Sequence, residues 1–314
     1  MRHSVLAAMA MAGTMVLPSD EAAADQSCKL QMATSLPLGT DESGGVYVPV
    51  EFAGRSLNLL VDTAGYFSML KPSAVSELGL ERRTLPLEDR NVIMLYGGAH
   101  LNDYVVANDV KIGAMPLKEK QFLVVPEMAI PAELSGTLAP DIMRFFDIDF
   151  DFAGGKMNIF LQDHCEGQVV YWTTGTRAVL PMRVTEDWHI SVPVELDGHT
   201  TMAELDTGST RSELSWETAQ SQFDLDEKSP GVSLLAHTNV TEYHYPFKAL
   251  TIGGEDKNQS LTVENPDILL VPDKESRIGP IGARLILGMG ILRQLHLYIA
   301  YNEHKLYVTP ASER

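Results

Sequence analysis

Val48-Pro-Val-Glu-Phe-Ala-Gly54, then seven residues, then Asp62-Thr63-Ala64-Gly65: the stretch recurs as Val192-Pro-Val-Glu-Leu-Asp-Gly198, seven residues, then Asp206-Thr207-Gly208-Ser209. The offset is constant at 144 (206 minus 62). A second pair of blocks follows. Leu138-Ala-Pro-Asp-Ile-Met-Arg144, with Lys156 twelve residues on, lies over Leu287-Gly-Met-Gly-Ile-Leu-Arg293, with Lys305 twelve residues on. A chain of two copies, each carrying one Asp-Thr at the end of an apolar strand, implies two carboxylates brought together across a pseudo-twofold axis.

The spacing of apolar residues makes each copy mostly strand. Val46 to Phe52 alternates, Leu57 to Val61 and Thr201 to Leu205 run into the two aspartates, and Phe146 to Phe152 alternates strictly. Gly54, Gly113, Gly198 and Gly253-Gly254 fall at turns. Short helices are expected at Pro72 to Leu78, Trp216 to Gln222, Asp141 to Phe145 and Gly290 to Leu295. The expected architecture is all-β, with two pseudo-twofold-related barrel lobes: an N-terminal segment over 25–45, lobes over 46–161 and 179–314, and an interlobe connection over 162–178.

Composition narrows the function classes. The chain has 314 residues, 45% of them hydrophobic, enough for two domains with real cores. A formal net charge of −18 argues against nucleic acid or an anionic membrane surface as partner, because phosphate binding needs clustered Lys and Arg. Residues 1–24 have the form of an export signal: Arg2 and His3 precede the apolar run Val5 to Leu17, and Ala22-Ala23-Ala24 offers a cleavage site. The run is short for a membrane span, so a mature chain without an integral segment, periplasmic or secreted, is expected. An oxidising compartment permits a bridge between Cys28 and Cys165, the two cysteines; two unpaired buried thiols are the alternative.

Two carboxyl groups within hydrogen-bond reach resist joint ionisation and hold one proton between them, so one acts as base and the other as acid. Water held by such a pair can attack a peptide carbonyl while the protonated partner stabilises the oxyanion. A small residue after Asp-Thr lets the loop fold tightly and present an N–H to the carboxylate. The Thr hydroxyls can bond across to the opposite copy. Ser209 is expected to donate its hydroxyl to the second carboxylate, whereas Gly65 offers no such donor, which implies a cleavage optimum in mild acid.

From Val46 to Val308 these residues resemble the aspartic proteases, in the pepsin-like and retropepsin-like clan, and the bacterial exported single-chain members with two repeats. The resemblance implies Asp62 and Asp206 as catalytic residues, with Thr63, Ala64, Gly65, Thr207, Gly208 and Ser209 forming the supporting loops. It also implies a substrate flap tipped by Tyr96-Gly97-Gly98 ahead of a strand from Val105 to Ile112. The partner is a peptide or protein substrate lying extended in the cleft, with no cofactor. The resemblance departs in copy one, where Ala64 and Ala139 stand at positions for which the family carries Gly. An added methyl in so tight a loop bears on activity more than on fold. A catalytically impaired protein that still binds peptides is therefore the rival reading, and an assembly factor using only its sheet edges is a third.

Other chemistries lack their residues. The histidines show no metal-ligand spacing, Ser209 and Ser212 have no nucleophile-elbow context, and no glycine-rich phosphate loop occurs.

Overall fold

The computed structural model describes residues 29–90, 93, 100–175, 177–186, 188–237, 241–253, 259–272 and 285–311. The duplication in sequence is a duplication in topology. In the first lobe the strands Val46–Phe52 and Arg55–Val61 form a hairpin, and Gly136–Leu138 lies parallel to the second of them, pairing Leu138 with Val61. In the second lobe Ile190–Leu196 and His199–Leu205 form the same hairpin, and Leu285–Leu287 lies parallel, pairing Leu287 with Leu205. Each lobe extends this unit to a ten-stranded sheet with the same order of equivalent strands.

The two hairpins turn through Ala53-Gly54 and Asp197-Gly198, and both residues of each pair have positive φ. That geometry matches the right-handed twist of the flanking strands and is cheapest with Gly in second place. It also fixes the register, so Val48, Val50, Leu57, Leu59 and Val61 all reach the core, as do Val192, Val194, Ala203 and Leu205. One apolar cluster runs from Leu36 to Val308 through both lobes.

A third, six-stranded sheet joins the lobes. Met32–Pro37, Lys156–Phe160 and Asp147–Asp151 supply one half; Leu295–Ala300, Lys305–Pro310 and Ala178–Pro181 supply the other. The seam pairs Ile148 with Ile299 and Phe150 with Leu297. The segment 25–45 is therefore not a mere lead-in, because it contributes an edge strand to this sheet and a second short strand, Gly39–Thr40, to the first lobe.

All four expected helices form, at Pro72–Glu77, Pro140–Met143, Trp216–Phe223 and Met289–Leu292. The single strand expected from Val105 to Ile112 is instead two, Asp103–Ala107 and Val110–Ile112, paired to different neighbours. Asn108-Asp109 breaks it, a polar pair suited to a turn that the apolar spacing on either side conceals. A one-turn helix, Leu87–Arg90, buries none of its residues and so has no periodic signature. No described helix is long and apolar enough to cross a membrane.

Candidate active site

Both aspartates stand one residue beyond a strand whose parallel neighbour ends beside them. The Asp62 N–H donates to the Leu138 carbonyl at 3.0 Å, and the Asp206 N–H donates to the Leu287 carbonyl at 3.0 Å. Tying each backbone to the strand end turns the following residues out of the sheet toward the other lobe.

The threonines then lock the loops together. Thr63 Oγ1 donates to the Leu205 carbonyl at 2.6 Å and accepts from the Thr207 N–H at 3.0 Å. Thr207 Oγ1 returns both bonds, donating to the Val61 carbonyl at 2.6 Å and accepting from the Thr63 N–H at 3.1 Å. Both side chains are buried, so a truncated hydroxyl would strand groups that water cannot reach.

This exchange sets the carboxyl of Asp62 against the opposite loop. A Cβ placed on Gly208 would lie 2.6 Å from Cγ and 2.7 Å from Oδ1 of Asp62, so only glycine fits there without a shift. The two loops are not identical. Asp62 Oδ1 accepts from the Ala64 N–H at 3.1 Å, whereas Asp206 Oδ1 accepts from the Ser209 N–H at 3.0 Å, one residue further along. Asp206 is buried and Asp62 only partly so.

Ser209 corrects an expectation. Its hydroxyl donates to the Arg211 carbonyl at 2.9 Å, and its main-chain N–H, not its hydroxyl, serves Asp206. The turn after Asp206 brings the Arg211 carbonyl within reach of Oγ, and a hydroxyl has one proton to give. Each carboxylate thus accepts a main-chain N–H from its own loop, and the argument for a mild-acid optimum from Ser209 hydroxyl donation falls. A side chain at Gly65 would also meet Asp62 Oδ2 at 2.8 Å, so a serine could not be added there without strain.

Sequence reasoning missed the layer behind the loops. Ser68 and Ser212 each stand six residues after their Asp. Ser68 Oγ accepts from the Ala139 N–H and Ser212 Oγ from the Gly288 N–H, both at 3.0 Å. Ser68 Oγ also donates to Asp141 Oδ1 at 2.7 Å. Burial holds the Asp141 carboxyl above its ordinary range despite the bonds from Ser68 and the nearby Arg144 charge. The signal for the serines was present, since they repeat at the same offset as the aspartates.

Tyr96, Gly97 and Gly98 lie outside the described residues. The excursion that carries them leaves the strand Arg83–Thr84 and returns at Asp103, and its base is closed by the Leu85 N–H on the Asn102 carbonyl at 2.8 Å. The equivalent connection in the second lobe, from Ser233–His237 to Thr241–His244, is far shorter. Cys28 also lies outside the described residues, while Cys165 follows the strand Lys156–Phe160.

The sequence profile of the family described as Aspartyl protease matches residues 48–139 and 192–291, one block per lobe, each containing its Asp loop. The chain belongs to the aspartyl protease family. Among solved structures this family member is similar in fold to basic 7S globulin from soybean, with a TM-score of 0.54 at 9% identity over 91% of this chain and 96% of that one. It is similar also to conglutin gamma, a basic 7S globulin from lupine seeds, with a TM-score of 0.50 at 10% identity over 90% and 95%. No curated protein matches the sequence.

Proposed function

We propose that the protein is an exported endopeptidase, periplasmic or secreted, that hydrolyses peptide bonds with water activated between Asp62 and Asp206. The observation that carries this reading is the seating of the Asp62 carboxyl against Gly208, held by the reciprocal Thr63 and Thr207 bonds. Such a grip ties the two Asp loops rigidly to one another, which a proton-sharing pair requires. Thr63, Ala64, Gly65, Thr207, Gly208 and Ser209 hold that geometry. The long first-lobe excursion supports a flap, tipped by Tyr96-Gly97-Gly98, closing over an extended peptide substrate from one side.

A rival reading has a specific observation behind it. Ala64 stands where the second loop carries Gly208, a position at which an added carbon crowds the opposite carboxyl. On that reading the protein binds peptides and does not cut them. Mature protein incubated with a diverse peptide library across acid to neutral pH, with and without pepstatin and read by mass spectrometry, separates the two. Asp62→Asn and Asp206→Asn are each expected to abolish pepstatin-sensitive cleavage with unchanged folding, since each removes half of a shared-proton pair at constant volume. Substantial turnover in either variant would sink the mechanism. Pepstatin binding without turnover in the wild type would favour the rival.

A further inference from the structure

The two lobes anchor their Asp loops by different means. In the second lobe the anchor is main chain: the N–H groups of Met289 and Gly290 donate to the carbonyls of Ser209 and Thr210 at 2.8 and 3.0 Å. So close an approach needs Gly288, because a side-chain carbon there would overlap the Arg211 carbonyl and lie 2.9 Å from that of Ser209. The first lobe has Ala139 at the place of Gly288 and Pro140 at the place of Met289. Alanine forbids the same approach, and proline has no N–H to donate. The bond that holds Ser209 in the second lobe therefore has no counterpart at Gly65.

At the place of Gly290 stands Asp141. Its Oδ1 accepts from both the N–H and the hydroxyl of Ser68, at 3.1 and 2.7 Å. With its proton committed to Asp141, Ser68 Oγ turns a lone pair to the Ala139 N–H at 3.0 Å. Leu138 and Ala139 in turn support the Asp loop. The Leu138 carbonyl takes the Asp62 N–H, and the Ala139 methyl would lie 3.3 Å from any Cβ on Gly65.

We propose that Asp141 is a positioning residue for Asp62, its carboxyl acting through Ser68 to replace the main-chain anchor that Ala139 and Pro140 remove from the first lobe. The inference rests on the reading of Asp62 and Asp206 as the catalytic pair. Bonds to an ionised carboxylate are stronger than those between neutral groups, so one side chain can replace a lost backbone bond. The arrangement also accounts for a first lobe that keeps an Asp loop with Ala139 at the position where the second needs Gly288.

In peptide cleavage by the full mature chain, Asp141→Ala and Ser68→Ala are each expected to lower kcat about tenfold or more with KM little changed, as a misplaced catalytic group does. The double variant should be no worse than the poorer single one, because the two act as one unit. Writing the second lobe's solution into the first, as Ala139→Gly with Pro140→Met and Asp141→Gly, should recover kcat relative to Asp141→Ala. Additive losses, or a folded Asp141→Ala with wild-type kcat, would overturn the proposal. Should Asp141→Ala not fold, Ser68→Ala and the triple variant test the same link. Hydrogen exchange gives an independent readout: the Ala139 amide should exchange faster in Asp141→Ala while the Gly288 amide does not. If the wild type cuts no peptide, the endopeptidase reading fails, and unchanged Ala139 protection alone would then overturn the positioning role.

Discussion

At the scale of single residues the molecule turns on where a methyl group fits. Gly208 touches the carboxyl of Asp62, and Ala64 is its pseudo-twofold equivalent, so the two lobes tolerate different residues in one role. Gly208→Ala is expected to keep the fold, since overpacking by one methyl costs about 1–3 kcal/mol. Turnover should fall by about a hundredfold, because displacing a reacting group by about 1 Å is enough for that loss. Peptide cleavage measured beside a thermal melt checks both halves, and wild-type kcat in the variant would show that the contact does not position Asp62. The aspartates, threonines and the Ala-for-Gly exchange were legible in the sequence because the duplication aligns them. Ser209 was misread because the direction of a hydroxyl depends on which carbonyl the turn brings near, and no pattern of residue types states that.

At the scale of elements, register carries information that spacing along the chain does not. Met32 pairs with Phe160 and Thr34 with Ile159 in an antiparallel ladder, and the Leu161 N–H donates to the Gln31 carbonyl at 3.0 Å. That ladder carries the described chain before Met32 alongside the chain after Phe160, and Cys165 stands four residues beyond Leu161. No described cysteine is a free thiol. A Cys28–Cys165 bridge is expected, and non-reducing peptide mapping of the protein isolated under native conditions checks it; two free thiols would refute it. Reduction should cost about 2–4 kcal/mol of stability, mostly by freeing the unfolded chain. The strand Asp147–Asp151 teaches a related lesson. Its strict alternation matches a half-exposed strand, yet Asp147 and Asp149 are fully buried. Residues of the interlobe connection cover that face and partner it: His164 meets Asp147 at 2.6 Å, and Tyr171 donates to Asp149 at 2.6 Å.

At the scale of the whole molecule those carboxyls hold the halves together. Asp149 of the first lobe meets His296 of the second at 2.6 Å, and the Tyr301 N–H of the second lobe donates to Asp147 at 3.0 Å. Burial pulls the His164 pKa down, but the Asp147 bond, the Cys165 carbonyl and the Asp147 and Glu303 charges raise it on balance. Burial raises Asp147 as well, against the bonds from His164, Tyr301 and Tyr298. The pair therefore keeps its protons to higher pH folded than unfolded, and titrates as a unit. The raised His164 contributes stability that is complete below about pH 6.5, its unfolded value, and is lost as pH rises through the folded value. The raised Asp147 has the same sign at lower pH: its contribution is complete below about pH 3.9 and lost as pH rises through its folded value. Urea midpoints should thus fall between about pH 6 and pH 8, and the fall should shrink in His164→Gln. A midpoint rising over that range would refute the linkage.

What the sequence determined by itself was the architecture and the alignment of the two Asp loops across the duplication. Both follow from short-range facts repeated twice: apolar strands running into Asp-Thr, a Gly at each hairpin, and an offset of 144 that holds from the hairpin through the Asp loop. Tertiary structure alone decided what the differences between the copies do. Whether Ser68 needs Asp141, which proton Ser209 gives to which acceptor, and whether an alternating strand meets water or a second layer all depend on the group that long-range packing places within 3 Å. That group lies about seventy residues away for Ser68 and Asp141, and about one hundred and fifty for Asp149 and His296. Hydrogen bonds act over a single contact distance, so spacing along the chain cannot report them until the lobes have closed.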